Sequence, residues 1–321
     1  MALSESELIT RYFRNCGMQR RDVALGVGDD AAVLECPHGA QLIATTDTLV
    51  AGVHFPLSVP AAAIGHRALA VNLSDLAAMG ARPAWALLAL TLPEADEQWL
   101  TEFAAGFGAL ARAHDVALVG GDTTRGPLTV TVQLLGHVPH GRALTRAGGR
   151  PGDALYVSGS PGDAGAGLAI EQGRLAAPAE AAPYLRERFL LPTPRVALGE
   201  RLRGYARACI DVSDGLLGDA GKLAGASGVG LEIAFADLPV SRPLVAALGP
   251  DAARELALTA GDDYELLFAV DPARVAELER ELPRAQWNYS QIGVLREAPG
   301  AVVRRDGSVM EFSHSGYQHF A

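Results

Sequence analysis

Lysine is nearly absent from this chain. Of 27 lysine and arginine side chains, only Lys222 is a lysine. Walker-type nucleotide-binding loops and protein kinases both set a lysine on the phosphates of ATP. Lys222 has no glycine-rich Walker loop before it, and no strand carries a kinase-type lysine. Any polyphosphate held here must be neutralised by metal ions and by arginines, of which Arg125 and Arg146 are the candidates. Cysteine is scarce too: Cys16, Cys36 and Cys209 fit neither a disulfide framework nor a zinc site, which predicts a reduced, cytoplasmic protein with packing cysteines. No apolar run approaches the ~20 residues of a membrane span. The opening Met1-Ala-Leu-Ser-Glu-Ser-Glu lacks the basic region and apolar core of a signal peptide. Positive charge is also in deficit, with a net charge of −10, so neither nucleic acid nor an anionic membrane is the expected partner.

Aspartate in glycine-framed segments is what the chain does have. Gly26-Val-Gly-Asp-Asp30 is the first, followed by Ala44-Thr-Thr-Asp-Thr48, Asn72-Leu-Ser-Asp75, Gly120-Gly-Asp-Thr-Thr-Arg-Gly126 and Asp211-Val-Ser-Asp-Gly215. Each aspartate lies where an apolar run gives way to small residues, so all can reach one cleft. Singly, such aspartates are ordinary turn formers and helix caps; five motifs together predict a shared role. Two carboxylates ~4 Å apart repel by roughly 4 kcal/mol at an effective dielectric near 20. A cluster therefore calls for cations. Mg²⁺ takes oxygen ligands and bridges carboxylates to phosphate oxygens, so the pattern points to a Mg-nucleotide site. Gly26 to Ala31 nearly spells the dinucleotide-binding fingerprint. That motif needs a helix next, whereas Ala-Val-Leu-Glu-Cys-Pro-His-Gly reads as a strand and turn.

With 321 residues, two domains are expected. The first half predicts a capped helix over 4–15 (Ser4 with Glu7 as a capping box), a strand ending near Asp47, and a helix over 60–80 stopped by Gly80. A strand over 85–92 and a helix over 93–114 capped by Asp96 follow. A strand over 116–119 then runs into Gly120-Gly121, read as an anion-binding nest, and an alternating strand spans 128–136. Asp75 falls inside the first long helix, where a charge is costly unless paired or metal-bound. Residues 139–152 are rich in Gly, Pro and Arg and mark the boundary, giving lobes of residues 1–140 and 141–321. The second half predicts strands at 154–157, 208–212, 230–235, 264–270 and 292–295, helices at 195–203, 216–226 and 272–282, and a hairpin turning at Asp306-Gly307. Both halves mix strands and helices, an α/β (α+β) chain of two lobes with the site between them. His54 reads as a loop histidine or as a substrate contact.

The long motifs, in this order, resemble the thiamine-monophosphate kinase family: Gly26-Val-Gly-Asp-Asp30, Thr45-Thr-Asp-Thr-Leu-Val-Ala-Gly-Val-His54, Ala70-Val-Asn-Leu-Ser-Asp-Leu-Ala-Ala-Met-Gly80, Leu118-Val-Gly-Gly-Asp-Thr-Thr-Arg-Gly126 and Ile210-Asp-Val-Ser-Asp-Gly215. The likeness runs from about residue 4 to Gly316-Tyr-Gln-His-Phe320. It implies the two-lobe fold of aminoimidazole-ribonucleotide synthetase, with N-terminal lobes sharing a β-barrel in a homodimer. It implies transfer of a phosphoryl group from ATP to thiamine monophosphate. The resemblance assigns several Mg²⁺ ions to Asp30, Asp47, Asp75, Asp122, Asp211 and Asp214 with help from Thr45 and Thr46. It assigns ATP to Gly121, Asp122, Arg146 and Ser213, and substrate to His54. Two departures stand out. Gly261-Asp-Asp-Tyr-Glu265 has Asp262 where the family commonly has a substrate-contacting Glu. His314 stands where a Trp often precedes the terminal Gly-Tyr run, so stacking on the thiamine ring falls to His314 or Tyr317. Two rivals are a synthetase of the same superfamily and a non-catalytic Mg-nucleotide binder. Selenophosphate chemistry would want a reactive Cys in a glycine-rich N-terminal segment, which Cys16 lacks.

Overall fold

The structure is a computed structural model describing residues 5–312 and 316–317. It divides into two compact units: one takes in the chain to Leu76 and Ala81–Arg142, the other Ala77–Gly80 and the chain from Ala143 onward.

In the first unit, α1 (Glu5–Leu8) continues as a π-turn over Ile9–Phe13; Ser4 of the expected capping box lies outside the described residues. β1 (Val23–Leu25) and β2 (Val33–Leu34) pair antiparallel, confirming that no helix follows the Gly26 loop. β3 (Ala40–Val50), α2 (Ala61–Ala78), β4 (Arg82–Leu92), α3 (Glu97–Ala113), β5 (Ala117–Arg125) and β6 (Thr129–Pro139) complete the unit. The sheet order is β3-β6-β4-β5, antiparallel except for the parallel β4/β5 pair. Val130, Val132 and Leu134 are buried on one face of β6 while Gln133 is exposed on the other, the alternation of a sheet covered on one side. Helices α2 and α3 cross at glycines: a Cβ on Gly65 would lie 2.2 Å from the Phe103 carbonyl oxygen, and one on Gly106 2.0 Å from that of Ala62. Asp96 caps α3 as expected, its Oδ1 accepting the amides of Gln98 at 2.8 Å and Trp99 at 3.1 Å. Gly80 (φ 64°) ends α2 in the left-handed region.

The second unit contains β7 (Ala154–Ser158), α4 (Asp163–Glu171), α5 (Ala182–Leu190), α6 (Val196–Leu202), β8 (Ala206–Val212), α7 (Leu216–Ser227), β9 (Gly230–Ala234), α8 (Arg242–Leu248), α9 (Pro250–Thr259), β10 (Glu265–Val270), α10 (Val275–Glu281), α11 (Arg284–Trp287), β11 (Tyr289–Arg296), β12 (Gly300–Arg305) and β13 (Ser308–Met310). Its seven-stranded sheet runs β13-β12-β9-β11-β7-β10-β8, with β12/β9 parallel and the other pairs antiparallel. Both faces of the middle strands are covered, so β7 is buried throughout. Leu155, Val157, Ile210 and Leu267 form a core with Leu216, Ala220 and Leu223 of α7. On the opposite face Tyr156 and Phe268 stack at 5.4 Å, with the Tyr289 ring edge-on to both. The β12–β13 turn has Asp306 and Gly307 both at positive φ (50° and 81°), the requirement that made Asp-Gly a hairpin signal.

Several expectations are corrected. β5 does not stop before Gly120 but runs through Gly-Gly-Asp to Arg125. β3 continues to Val50, so Asp47 sits within the strand rather than at its end. The helix expected over 272–282 is a short 3₁₀ turn, Pro272–Arg274, leading into α10. No described helix is long and apolar enough to cross a membrane.

Candidate active site

A cavity of about 1030 Å³ opens on the exposed face of the first unit's sheet. Thr46 of β3, Gln133 of β6, Ala89 of β4 and Asp122 of β5 line its floor, and Asp30 and Arg14 line its rim. Two of the aspartates picked out in the sequence thus share one space, together with Gly121. Gly121 has a structural duty as well. It lies at φ 147°, and a Cβ there would stand 1.8 Å from the Leu88 carbonyl oxygen. The two glycines let β5 press against β4 at a register shift, and do not form a turn. Arg14 went unnoticed in the sequence. Its guanidinium lies against Gly28, 3.4 Å from where a Cβ would be, and it is the one basic side chain among the described residues that line the cavity.

Thr45 and Asp47 lie on the other face of β3, where Thr45 meets Asp75 of α2. Side chains alternate along a strand, so Thr45 and Asp47 point away from Thr46. The Thr45 hydroxyl donates to Asp75 Oδ2 at 2.5 Å, which supplies the partner that a half-buried helical aspartate needs. Thr46 donates to the Val132 carbonyl oxygen at 3.2 Å. His54 Nδ1 accepts the Val50 amide at 3.0 Å, so the ring carries its proton on Nε2 and is held in place by its own loop.

In the second unit Asp211, at the end of β8, is buried, and Ser213, Asp214 and Gly215 follow as a tight loop into α7. Asp219, in the first turns of α7 and missed in the sequence, organises that loop. Its Oδ2 accepts the amides of Ser213, Asp214 and Gly215 at 3.0, 3.0 and 3.3 Å. The signal was available: an acid one turn beyond Ser-Asp-Gly, where free helix amides call for an acceptor. Lys222 reaches back to Asp214 at 2.6 Å and Asp219 at 2.8 Å. Burial works against its charge, but those two carboxylates outweigh it and hold the ammonium pKa above its usual value. Asp262 joins the loop through its amide, which donates to the Ser213 carbonyl oxygen at 2.8 Å, and Tyr317 through its own, donating to that of Asp214 at 2.9 Å. Asp262 (φ 72°) and Tyr264 (φ 51°) both occupy the left-handed region, strain of the kind found where side chains are aimed at ligands. Arg146 is exposed and has no side-chain partner among the described residues; its carbonyl is anchored by Ser227 at the far end of α7, 3.0 Å away. His314 lies outside the described residues.

A buried polar network backs this loop. Burial alone would raise the Glu265 pKa. Arg195 at 2.6 Å and Arg188 at 2.7 Å outweigh it and hold the carboxyl below the usual range. Burial raises Asp263 well above its usual value, only partly opposed by the Gly162 and Ala164 amides that donate to it. Burial likewise pushes Asp163 up to about 6 against its bonds from Ser241 and Tyr184. A Glu opening the apolar strand Glu-Leu-Leu-Phe-Ala-Val was the sequence signal for such pairing.

Among the described residues no three His, Cys, Asp or Glu side chains are grouped closely enough to hold one metal ion between them. The donors present are nonetheless hard oxygens, carboxylates and threonine hydroxyls, opening on a cavity sized for a nucleotide. Mg²⁺ binds through one or two carboxylates plus phosphate oxygens and water rather than in all-protein cages, so these residues fit it.

Residues 28–138 match the family described as AIR synthase related protein, N-terminal domain, and residues 150–306 its C-terminal domain. The thiamine-monophosphate kinase of Escherichia coli (strain K12) is 47% identical over 323 residues, covering 100% of this chain and 99% of that protein. A solved thiamine-monophosphate kinase from Stenotrophomonas maltophilia K279a superposes with a TM-score of 0.85 at 48% identity, over 91% of this chain and 93% of that one. A structure described as AaThiL complexed with AMPPCP and TMP superposes at 0.77 with 34% identity, over 92% of each chain. Full-length likeness, two matched domains and an aspartate-lined cavity coincide, and the chain belongs to the thiamine-monophosphate kinase family.

Proposed function

We propose that this chain transfers the γ-phosphoryl group of ATP to thiamine monophosphate, giving thiamine diphosphate and ADP. The carrying observation is the cavity where Asp30, Thr46, Gly121 and Asp122 meet with no lysine in its lining, in a chain that matches such kinases end to end. An oxygen of the acceptor phosphate attacks the γ-phosphorus in line, and the bond to the β,γ-bridging oxygen breaks. The attacking oxygen is already anionic, so no strong base is required. Catalysis is then mainly positioning and charge neutralisation.

Asp30, Thr45, Thr46, Asp47, Asp75, Asp122, Asp211 and Asp214 are the residues that would hold Mg²⁺, which when bound would offset the charge of the phosphates. Gly121, Asp122, Arg146 and Ser213 are read as the ATP contacts. His54, Asp262, His314 and Tyr317 are read as the acceptor contacts. Asp262 is supported by its strained backbone beside Ser213. Residues 1–140 would form the ATP-binding and dimerisation lobe and 141–321 the lobe that completes the ATP and substrate site. A homodimer with a shared β-barrel is supported by the open edge of the first sheet, where Leu42 is 52% exposed on edge strand β3. A cytoplasmic location is supported by the free thiols of Cys16, Cys36 and Cys209.

The test is incubation with ATP, Mg²⁺ and thiamine monophosphate, with products separated by chromatography. Thiamine diphosphate formed in step with ADP is expected. Nucleotide binding without turnover would favour the non-catalytic rival, and failure to form thiamine diphosphate rejects the reading.

A further inference from the structure

The one lysine of the chain, on α7, reaches back to the loop that the proposed function assigns to a metal ion. Lys222 Nζ lies 2.6 Å from Asp214 Oδ2 and 2.8 Å from Asp219 Oδ1. Asp219 is fully engaged: one oxygen takes three loop amides and the other takes the ammonium. The amides of Ser213, Asp214 and Gly215 are thereby spent, so the N-terminus of α7 offers them to no phosphate. What the loop presents outward is Asp214 and the ammonium on it, their side chains 38% and 44% exposed. The residue type matters. An ammonium is a compact point charge with three rotatable donors, and two here bridge two carboxylates; the planar fork of an arginine suits one bidentate partner instead. In a chain otherwise served by arginine, lysine stands where a small, nearly spherical cation is wanted.

We propose that Lys222 is a built-in cation at Asp214, occupying the carboxylate that would otherwise take a divalent ion. A divalent ion reaches Asp214 only by displacing it. The inference rests on the reading of Asp214 as a metal-site residue, and it predicts that this position is filled by the protein itself in the resting state.

Mn²⁺ serves as the probe, with free ion counted by electron paramagnetic resonance during titration of the full-length protein without nucleotide. Lys222→Gln keeps a donor but removes the charge, and Lys222→Met removes both. Each is expected to add one Mn²⁺ site or tighten an existing one at least tenfold. Asp214→Asn in the Lys222→Gln background is expected to abolish the gain. Far-ultraviolet circular dichroism identifies any variant that fails to fold, and the conservative Gln variant then decides the question. A wild type that binds Mn²⁺ with Lys222→Gln unchanged, or a gain that survives Asp214→Asn in the Lys222→Gln background, would overturn the proposal only. Absence of Mn²⁺ binding in every variant, with Mg²⁺ likewise inert in a parallel calorimetric titration, would overturn the metal reading with it.

Discussion

Single side chains carry most of the chemistry. Asp75 is the sharpest case: a carboxylate on a mostly apolar helix, held by Thr45. Asp30→Asn and Asp75→Asn keep shape and most hydrogen bonding but remove a charge. Each is expected to lower kcat by at least a hundredfold while circular dichroism and thermal midpoint stay near wild type; full turnover in either would remove the carboxylates from the mechanism. Asp163 yields a pH prediction. Its pKa rises from 3.8 to about 6 on folding, so the folded state holds its proton more tightly than the unfolded chain. That contribution is fully present below 3.8 and is lost as pH climbs through about 6. At ~1.36 kcal/mol per pKa unit the loss is about 3 kcal/mol. Urea denaturation between about pH 4 and about pH 7 should show wild type losing more stability than Asp163→Asn by roughly that amount. Parallel curves would show that Asp163 is not held protonated.

At the scale of elements, apolar periodicity and capping chemistry made much of the fold legible. The Asp96 cap, the Gly80 stop of α2 and the Asp306-Gly307 hairpin follow from local rules that need no tertiary context. Gly120-Gly121 misled, because glycine usually marks a turn, whereas here it admits the Leu88 backbone within a continuing strand. Helices α5, α8 and α9 went unseen: they are short, and although Ser241 caps α8 and Pro250 opens α9, helices of that length depend on long-range packing. The α2–α3 crossing shows how small residues set a contact. Gly106→Ala would press a methyl against the Ala62 carbonyl and should cost about 1–3 kcal/mol. Chemical denaturation would measure it, and an unchanged midpoint would mean the crossing relaxes freely.

For the whole molecule, the open edge of the first sheet is the feature that asks for a partner. Leu42, 52% exposed on edge strand β3, contributes little to the folded monomer. If a second copy pairs along this edge, Leu42→Glu should shift the sedimentation coefficient from that of a dimer to that of one chain, with circular dichroism unchanged. A wild type that sediments as a monomer would refute the dimer. The same scale explains why net charge and a lack of lysine were informative: they constrain how any polyphosphate can be neutralised.

The amino-acid sequence alone determined the family and the two-part α/β organisation, because long ordered motifs and local propensities survive without coordinates. Only the tertiary structure decided that Thr45 meets Asp75, that Asp30 and Asp122 share a cavity, and that Lys222 sits on Asp214. Pairings of this kind depend on strand register and on side chains meeting across the fold, and spacing along a chain encodes neither.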